Sequence, residues 1–265
     1  MPVTERGVAL AAGTAPEVVA ATAALAEELG YRSFWLNHPG QRDGVAGLEP
    51  AAGATSRIDL GVGVVPIHLR PVESVVAVVE EVALPVERLL LGIGTAGPGA
   101  YRLAREGAAE LRLRLGCRVV MAALSEGACR VAGEVADGVL LNWLTPDHAR
   151  RSAEWVEHGA AKAGRPRPPL YAYLRVALGA GARERLEAEG ARYTGVATYA
   201  SHFERMGAAP AETAVAADDA DAVAGAVAAW DGVVDQVLLR LLPSSGDADA
   251  HEELVRAGAP GGRPA

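Results

Sequence analysis

The chain is predicted to fold as an α/β protein, a closed (β/α)8 TIM barrel, and three observations carry that prediction. Strand-like apolar runs alternate with segments of helical spacing through the whole sequence. The stretch VVMAALSEGACRVAGEVADGVLLNWLTP, from Val119 to Pro146, sets two such runs on either side of one helix, as parallel pairing requires. A length of 265 residues suits one barrel, which needs about 250. Eight β/α units in a row argue for closure over an open sheet, which seldom keeps so strict an alternation.

Taken in order, strands are read over 7–11, 33–37, 59–66, 88–94, 118–124, 138–143, 170–178 and 235–242. Near-continuous apolar runs such as Val119 to Leu124 mark strands covered on both faces. Helical spacing fills 16–29, 49–55, 72–82, 100–115, 126–136 and 146–163, with two further helices inside 182–206 and one over 220–230. Thr145, Pro146 and Asp147 supply an N-cap, a first-turn proline and a first-turn acid, and Gly164 stops the helix they start. The Asp137-Gly138 turn opens the sixth strand. The connection between the fourth and fifth strands is short, little more than one helix. Residues 1–258 are read as a single barrel domain, and the Gly/Pro-rich residues 259–265 as a disordered tail.

Composition narrows the function. A formal charge of -8, with arginines dispersed among helical acids, disfavours a nucleic-acid partner. Half of the residues are hydrophobic, yet no apolar run reaches the roughly 20 residues of a membrane span. The start, MPVTERGVAL, lacks the basic and apolar regions of a signal peptide, so a cytoplasmic address is expected. Cys117 and Cys129 match neither a redox pair nor a zinc spacing and are read as reduced packing residues. No HxH or clustered ligand pattern calls for a metal.

In such a barrel the loops after the strands form the site. They hold Asn37-His38-Pro39-Gly40, then Val65 to Arg70, Gly94-Thr95-Ala96-Gly97, Leu124-Ser125-Glu126-Gly127 and Asn142-Trp143. His38 is the candidate acid/base or hydrogen-bonding group, because imidazole titrates near neutrality; a surface-loop histidine is the other reading. His68 is a weaker candidate. Ser125-Glu126-Gly127 opens a helix whose amides suit a phosphate, although Glu126 equally reads as a first-turn acid. The Gly61-Val62-Gly63 and Gly92-Ile93-Gly94 runs are expected to keep the strand ends slim for a flat ligand.

With these residues in view, the chain resembles the luciferase-like flavin and deazaflavin oxidoreductases. The segments that carry the resemblance are ELGYRSFWLNHPG, TSRIDLGVGVVPIHLRP, ERLLLGIGTAG and AALSEGACRVAGEVADGVLLNWLTP, in that order. The resemblance implies a barrel that holds coenzyme F-420, or alternatively FMN, for hydride transfer or oxygen activation on a small organic substrate. It assigns catalysis to His38 and places the cofactor against Gly63, Val64 and Val65, where relatives often carry a non-prolyl cis peptide. Gly94 and Thr95 join the cofactor set from the fourth strand's end; Ala123, Leu124, Ser125 and Gly127 are expected at the tail, with Leu141 and Asn142 beyond. A homodimer is the family habit. Three departures stand out: Ser-Glu-Gly replaces Gly-Pro-Lys or Gly-Pro-Arg at the phosphate turn, the first strand lacks an acid, and the usual insertion between the fourth and fifth strands is missing. The last predicts an unusually open mouth, and a non-catalytic binding homologue is the alternative function.

Overall fold

The computed structural model describes residues 4–38 and 42–261. Its strands are β1 (Glu5–Leu10), β2 (Ser33–Asn37), β3 (Asp59–Pro66), β4 (Leu89–Gly94), β5 (Arg118–Ala122), β6 (Gly138–Asn142), β7 (Leu170–Leu178), β8 (Ala214–Ala217) and β9 (Gln236–Leu241). Helices α1 (Pro16–Glu28), α2 (Glu49–Ala54), α3 (Val72–Glu81), α4 (Ala100–Leu115), α5 (Glu126–Val135) and α6 (Pro146–Lys162) follow the first six strands in turn. Beyond β7 come α7 (Ala182–Thr194), α8 (Ala197–Met206) and α9 (Ala220–Ala228), and α10 (Ala248–Ala257) follows β9. All pairings are parallel. Strands β1 to β7 pair in sequence, β7 pairs β9, and β9 returns to β1, closing an eight-stranded TIM barrel.

Period-two alternation separates the barrel's interior from its helix-covered outside. On β2, Trp35 points inward while Phe34 and Leu36 join the outer core; on β7, Tyr171 and Tyr173 point inward against Leu170, Ala172 and Leu174 outward. Ala9, Leu90, Val120, Leu140 and Leu238 complete the inner cluster. Below it lies a polar floor. Arg118 donates to both Asp59 oxygens at 3.1 and 2.6 Å, Ser33 Oγ donates to Gln236 Oε1 at 2.6 Å, and Trp35 Nε1 donates to Ser33 Oγ at 2.7 Å. Above the apolar layer, the next inward positions carry Asn37, Ala122, Asn142, Arg175 and Arg240. The polar mouth is therefore one alternation step above the packed core.

Several expectations change. Of the two glycine runs, only Gly63 and Gly94 line cavities at the strand ends; a Cβ on Gly61 would sit 2.1 Å from the Trp35 ring, and one on Gly92 would sit 2.0 Å from the Val62 carbonyl oxygen. The protein itself fills that space. β8 is an addition to the sequence reading, being four small residues with too little hydrophobic contrast to register. It pairs Arg175 to Leu178 of β7, beyond the point where β6 stops pairing at Tyr173. α10 is the second addition, with a buried stripe of Ala250, His251, Leu254 and Val255 and an Asp247 cap. The tail expected to be disordered from residue 259 begins packed: Ala259 is buried, and Arg6 Nη1 donates to the carbonyls of Gly258 and Ala259 at 3.0 and 2.7 Å. Residues 262–265 of that expectation lie outside the described residues, as do Pro39 and Gly40. Among the described residues, no helix is long and apolar enough to cross a membrane.

The connection from β4 to β5 is as short as its sequence indicates, holding α4 alone. The mouth is nevertheless covered. Residues 179–235, between β7 and β9, bring α7 and α8 over the strand ends, so the open-mouthed barrel expected from the missing insertion is corrected. The cover comes from a different connection.

α8 is anchored by His202, whose Nε2 lies 2.8 Å from the Trp143 carbonyl oxygen and whose Nδ1 lies 3.2 Å from that of Leu124. A neutral ring donates to one of them, and the shorter contact marks Nε2. His148 packs edge-on to His202 with ring centroids 5.4 Å apart. Burial, then the neighbouring His202, Arg151 and Arg205, push its pKa down to about 4. The unfolded chain thus binds a proton there that the native state refuses, and stability falls as pH drops from about 6.5 towards 4. The loss is expected to be on the order of 3 kcal/mol. Denaturant midpoints of His148→Gln measured across that range should show a shallower slope than those of the parent protein; parallel slopes would refute the assignment.

Candidate active site at the barrel mouth

Two adjoining cavities open at the carboxyl ends of the strands, sharing Val64, Ala122 and Leu124. The inner one, about 200 Å³, reaches down to Tyr173 and is walled by His38, Asn142, Arg175 and Arg240, with Tyr193 and Tyr199 above. The outer one, about 540 Å³, runs past Gly94 and Thr95 to Ser125, Thr198, Ser201 and Arg205. The larger cavity falls in the range of small-molecule sites.

Strand β3 forms the shared edge. Its register against β4 shifts between Val62 and Val65, and the Gly63–Val64 peptide within that stretch is cis. Gly63 is required here, since a Cβ would lie 2.3 Å from the Tyr173 hydroxyl.

His38 lies at the end of β2 with only 4% of its side chain exposed. The Gly44 amide donates to its Nδ1 at 3.1 Å, which leaves the remaining ring proton on Nε2. Burial lowers the imidazole's pKa, Asp43 opposes this from 3.6 Å, and Arg70 lowers it further. Asp43 is engaged elsewhere: Arg70 grips it with bonds of 3.0 and 2.8 Å, and the Val45 and Ala46 amides donate to it. Burial alone would raise Asp43, but these bonds prevail and hold the carboxyl below its usual range. His38 is therefore neutral, with a fixed N–H donor.

The opposite wall is built around Arg175. Its guanidinium lies 3.7 Å over the Trp143 ring and 5.0 Å from that of Tyr193. It donates to Asn142 Oδ1, and Asn142 Nδ2 in turn donates to the Tyr199 hydroxyl at 2.9 Å. Trp143 adopts φ 52°, uncommon for a bulky residue, which turns its indole under the arginine.

The predicted site residues divide. His38, Gly63, Val64 and Asn142 meet at the inner cavity; Val64, Gly94, Thr95, Leu124 and Ser125 line the outer one, with Leu124 reaching both. The pleat corrects three others: Val65, Ala123 and Leu141 turn to the opposite side and join the outer core. Gly127 lies under Tyr101, whose hydroxyl would be 2.5 Å from a Cβ there. The turn expected to hold a phosphate has a cation nearby from another element. Glu126 is paired with Arg130 at 2.6 Å, and Arg205 of α8 donates to the Leu124 carbonyl at 3.2 Å beside Ser125. Tyr173, Arg175 and Arg240 were readable as polar residues inside apolar strands; Tyr193, Tyr199 and Arg205 gave no local signal.

A parallel barrel with a polar layer at its strand ends and an elongated groove beside it defines a mouth-site (β/α)8 protein. More narrowly, the chain belongs to the luciferase-like monooxygenase family, whose model matches residues 2–116 and 99–262. Among solved structures it is similar to the coenzyme F-420-dependent tetrahydromethanopterin reductase of Methanopyrus kandleri (TM-score 0.70, 17% identity, covering 96% of this chain and 97% of that one). It is also similar to an F-420-dependent secondary alcohol dehydrogenase in complex with an F-420–acetone adduct (0.75, 13%, 97% and 99%). A third is the oxygenating constituent of 3,6-diketocamphane monooxygenase from Pseudomonas putida, a type II Baeyer–Villiger enzyme in complex with FMN (0.61, 15%, 99% and 100%). No curated protein sequence matches the chain.

Proposed function

We propose that this protein is an oxidoreductase that binds coenzyme F-420, with FMN as the second candidate, at the barrel mouth and acts on a small organic substrate. The observation that carries the reading is the pair of cavities joined along Val64, Ala122 and Leu124, a short polar chamber beside a longer groove. The residues fit such a group, for the longer groove is lined at one end by Arg205 and the hydroxyl-bearing Ser125, Thr198 and Ser201, donors suited to an anionic tail. When bound, the cofactor supplies the hydride or electron pair. His38, which lines the chamber, holds a proton on Nε2 and orients an acceptor atom there. Arg205 and the Ser125 turn bind the anionic tail, and α7 and α8 exclude water. The non-catalytic alternative rested on a missing cover and an altered phosphate turn; α7 and α8 supply a cover, and Arg205 lies beside the turn.

Anaerobic titration with coenzyme F-420, FMN and riboflavin tests this. One phosphorylated cofactor should bind saturably in the micromolar range. Arg205→Gln should weaken it about tenfold, the worth of one charge-assisted bond, while leaving riboflavin unaffected. Failure of both cofactors to bind would overturn the function.

A further inference from the structure

The inner chamber has more buried positive charge than its surroundings neutralise. Arg175 and Arg240 are direct cross-strand partners on β7 and β9, exposed by only 2% and 7%. Like charges facing each other across neighbouring strands destabilise a sheet, and a buried charge without a partner costs more still. Within the chamber's lining among the described residues there is no carboxylate. Arg175 Nε forms a long buried ion pair with Glu189 Oε1 at 3.9 Å, beyond hydrogen-bond reach, and shares that one carboxylate with Arg192, so a single acid faces the two chamber arginines. Arg175 Nε is buried without a hydrogen-bond partner. Arg240 spends Nη1 on the Leu241 carbonyl at 2.6 Å. Stacking on Trp143 and the bond to Asn142 Oδ1 offset part of the cost but supply no negative charge. Below, the Tyr173 hydroxyl is a second chamber group buried without a hydrogen-bond partner, on the same face of β7. Burial also lowers the pKa of Arg175, against the pull of Tyr193 and Glu189.

We propose that this chamber binds the anionic group of the substrate, a carboxylate, between Arg175 and Arg240 with the Tyr173 hydroxyl as a further donor. Two guanidinium groups and a phenol offer donors that only an acceptor-rich anion satisfies together. A neutral carbonyl would leave one arginine uncompensated, and a cation would be repelled. The chamber's volume, about 200 Å³, confines the anion to a small molecule. His38 lines the same chamber, so the substrate held by its carboxylate lies within the walls that carry the proposed donor. Its role as substrate rests on the oxidoreductase reading above; the anion site itself does not. The other source of negative charge at this depth is the ring of a reduced flavin-type cofactor.

The test is calorimetric titration of the cofactor-free protein with acetate, isobutyrate and benzoate, with isobutyramide and benzamide as neutral counterparts. At least one carboxylate should bind saturably, its amide should not, and Arg175→Met and Arg240→Met should each weaken binding tenfold or more. Arg175→Lys should recover part of the loss, and far-UV circular dichroism identifies any variant that fails to fold; Arg240→Met then decides alone. No carboxylate binding, or binding that survives both substitutions, overturns the proposal. Parallel cofactor titrations separate the two readings. If cofactor affinity collapses in the arginine variants while carboxylates do not bind, the charge serves the cofactor ring and only the substrate assignment falls. If carboxylates bind and neither cofactor does, the anion site stands and the oxidoreductase reading falls.

Discussion

His38→Ala is expected to lower turnover of the cofactor-loaded enzyme about 100-fold while leaving the fold intact by circular dichroism. The size follows from removing one preorganised donor in a site that excludes water. The donor is preorganised because the Gly44 amide occupies Nδ1, so the ring presents Nε2–H in one orientation. Burial and Arg70 keep the imidazole neutral against the weaker pull of Asp43. The neutral donor therefore persists as pH falls below the ordinary histidine value and is lost only when pH passes through the lowered pKa. Activity should accordingly hold its plateau through pH 6.5 before declining on the acid side. His38→Gln, which retains an N–H donor, should recover part of the rate. Turnover by His38→Ala equal to that of the parent enzyme, measured as kcat/KM with any accepted substrate, would remove His38 from the machinery.

The largest stability effect is expected at the crossing of α5 and α6. There Gly133 and Gly159 let the two backbones touch: a Cβ on Gly159 would lie 2.0 Å from the Arg130 carbonyl oxygen, and one on Gly133 would lie 2.1 Å from that of Val156. Glycine in a helix interior forgoes about 1 kcal/mol of propensity relative to alanine, so Gly159→Ala would stabilise an isolated α6. In the protein the overlap prevails, since neither backbone can yield without moving a helix. We expect Gly159→Ala to lower the unfolding free energy by about 3 kcal/mol, a large part of the 5–15 kcal/mol of an average domain. Urea denaturation would show the loss as a lower midpoint at constant slope. A midpoint equal to or above the parent's would mean that the helices cross less closely. Ser125 caps α5 through the Ala128 amide at 3.4 Å, so a displaced helix would also disturb the outer cavity.

The barrel's framework was legible because its signal is local. Apolar runs in β5 and β6, the cap at Thr145 and the Gly63–Val65 stretch could each be read within a few residues. The alternation of YAYLRV and QVLLRL holds a local signal that the sequence reading did not use: an arginine two steps along from Tyr173, or from Leu238, in an otherwise apolar strand sits on the inner face. The other members of the site carry no such signal. Arg205 reaches the turn at Leu124 from a helix 81 residues away in the chain, and Tyr199 meets Asn142 across 57 residues. Such meetings are decided by tertiary packing, and amphipathic spacing in 182–206 says only that helices exist. The same limit explains the open mouth expected from the short β4–β5 connection. Sequence shows that one cover is absent, and only the assembled barrel shows that another takes its place.

The cover also has a history written into its connectivity. Tyr193, Tyr199, Ser201 and Arg205 all come from the single stretch between β7 and β9, and those two strands are hydrogen-bonded neighbours. The stretch leaves and rejoins the barrel at adjacent points, so it behaves as a cassette. Exchange of that cassette alters what the mouth admits while the strands that carry His38, Arg175 and Arg240 keep their register. For engineering, the roof of the mouth and its walls are thereby carried on separate parts of the chain.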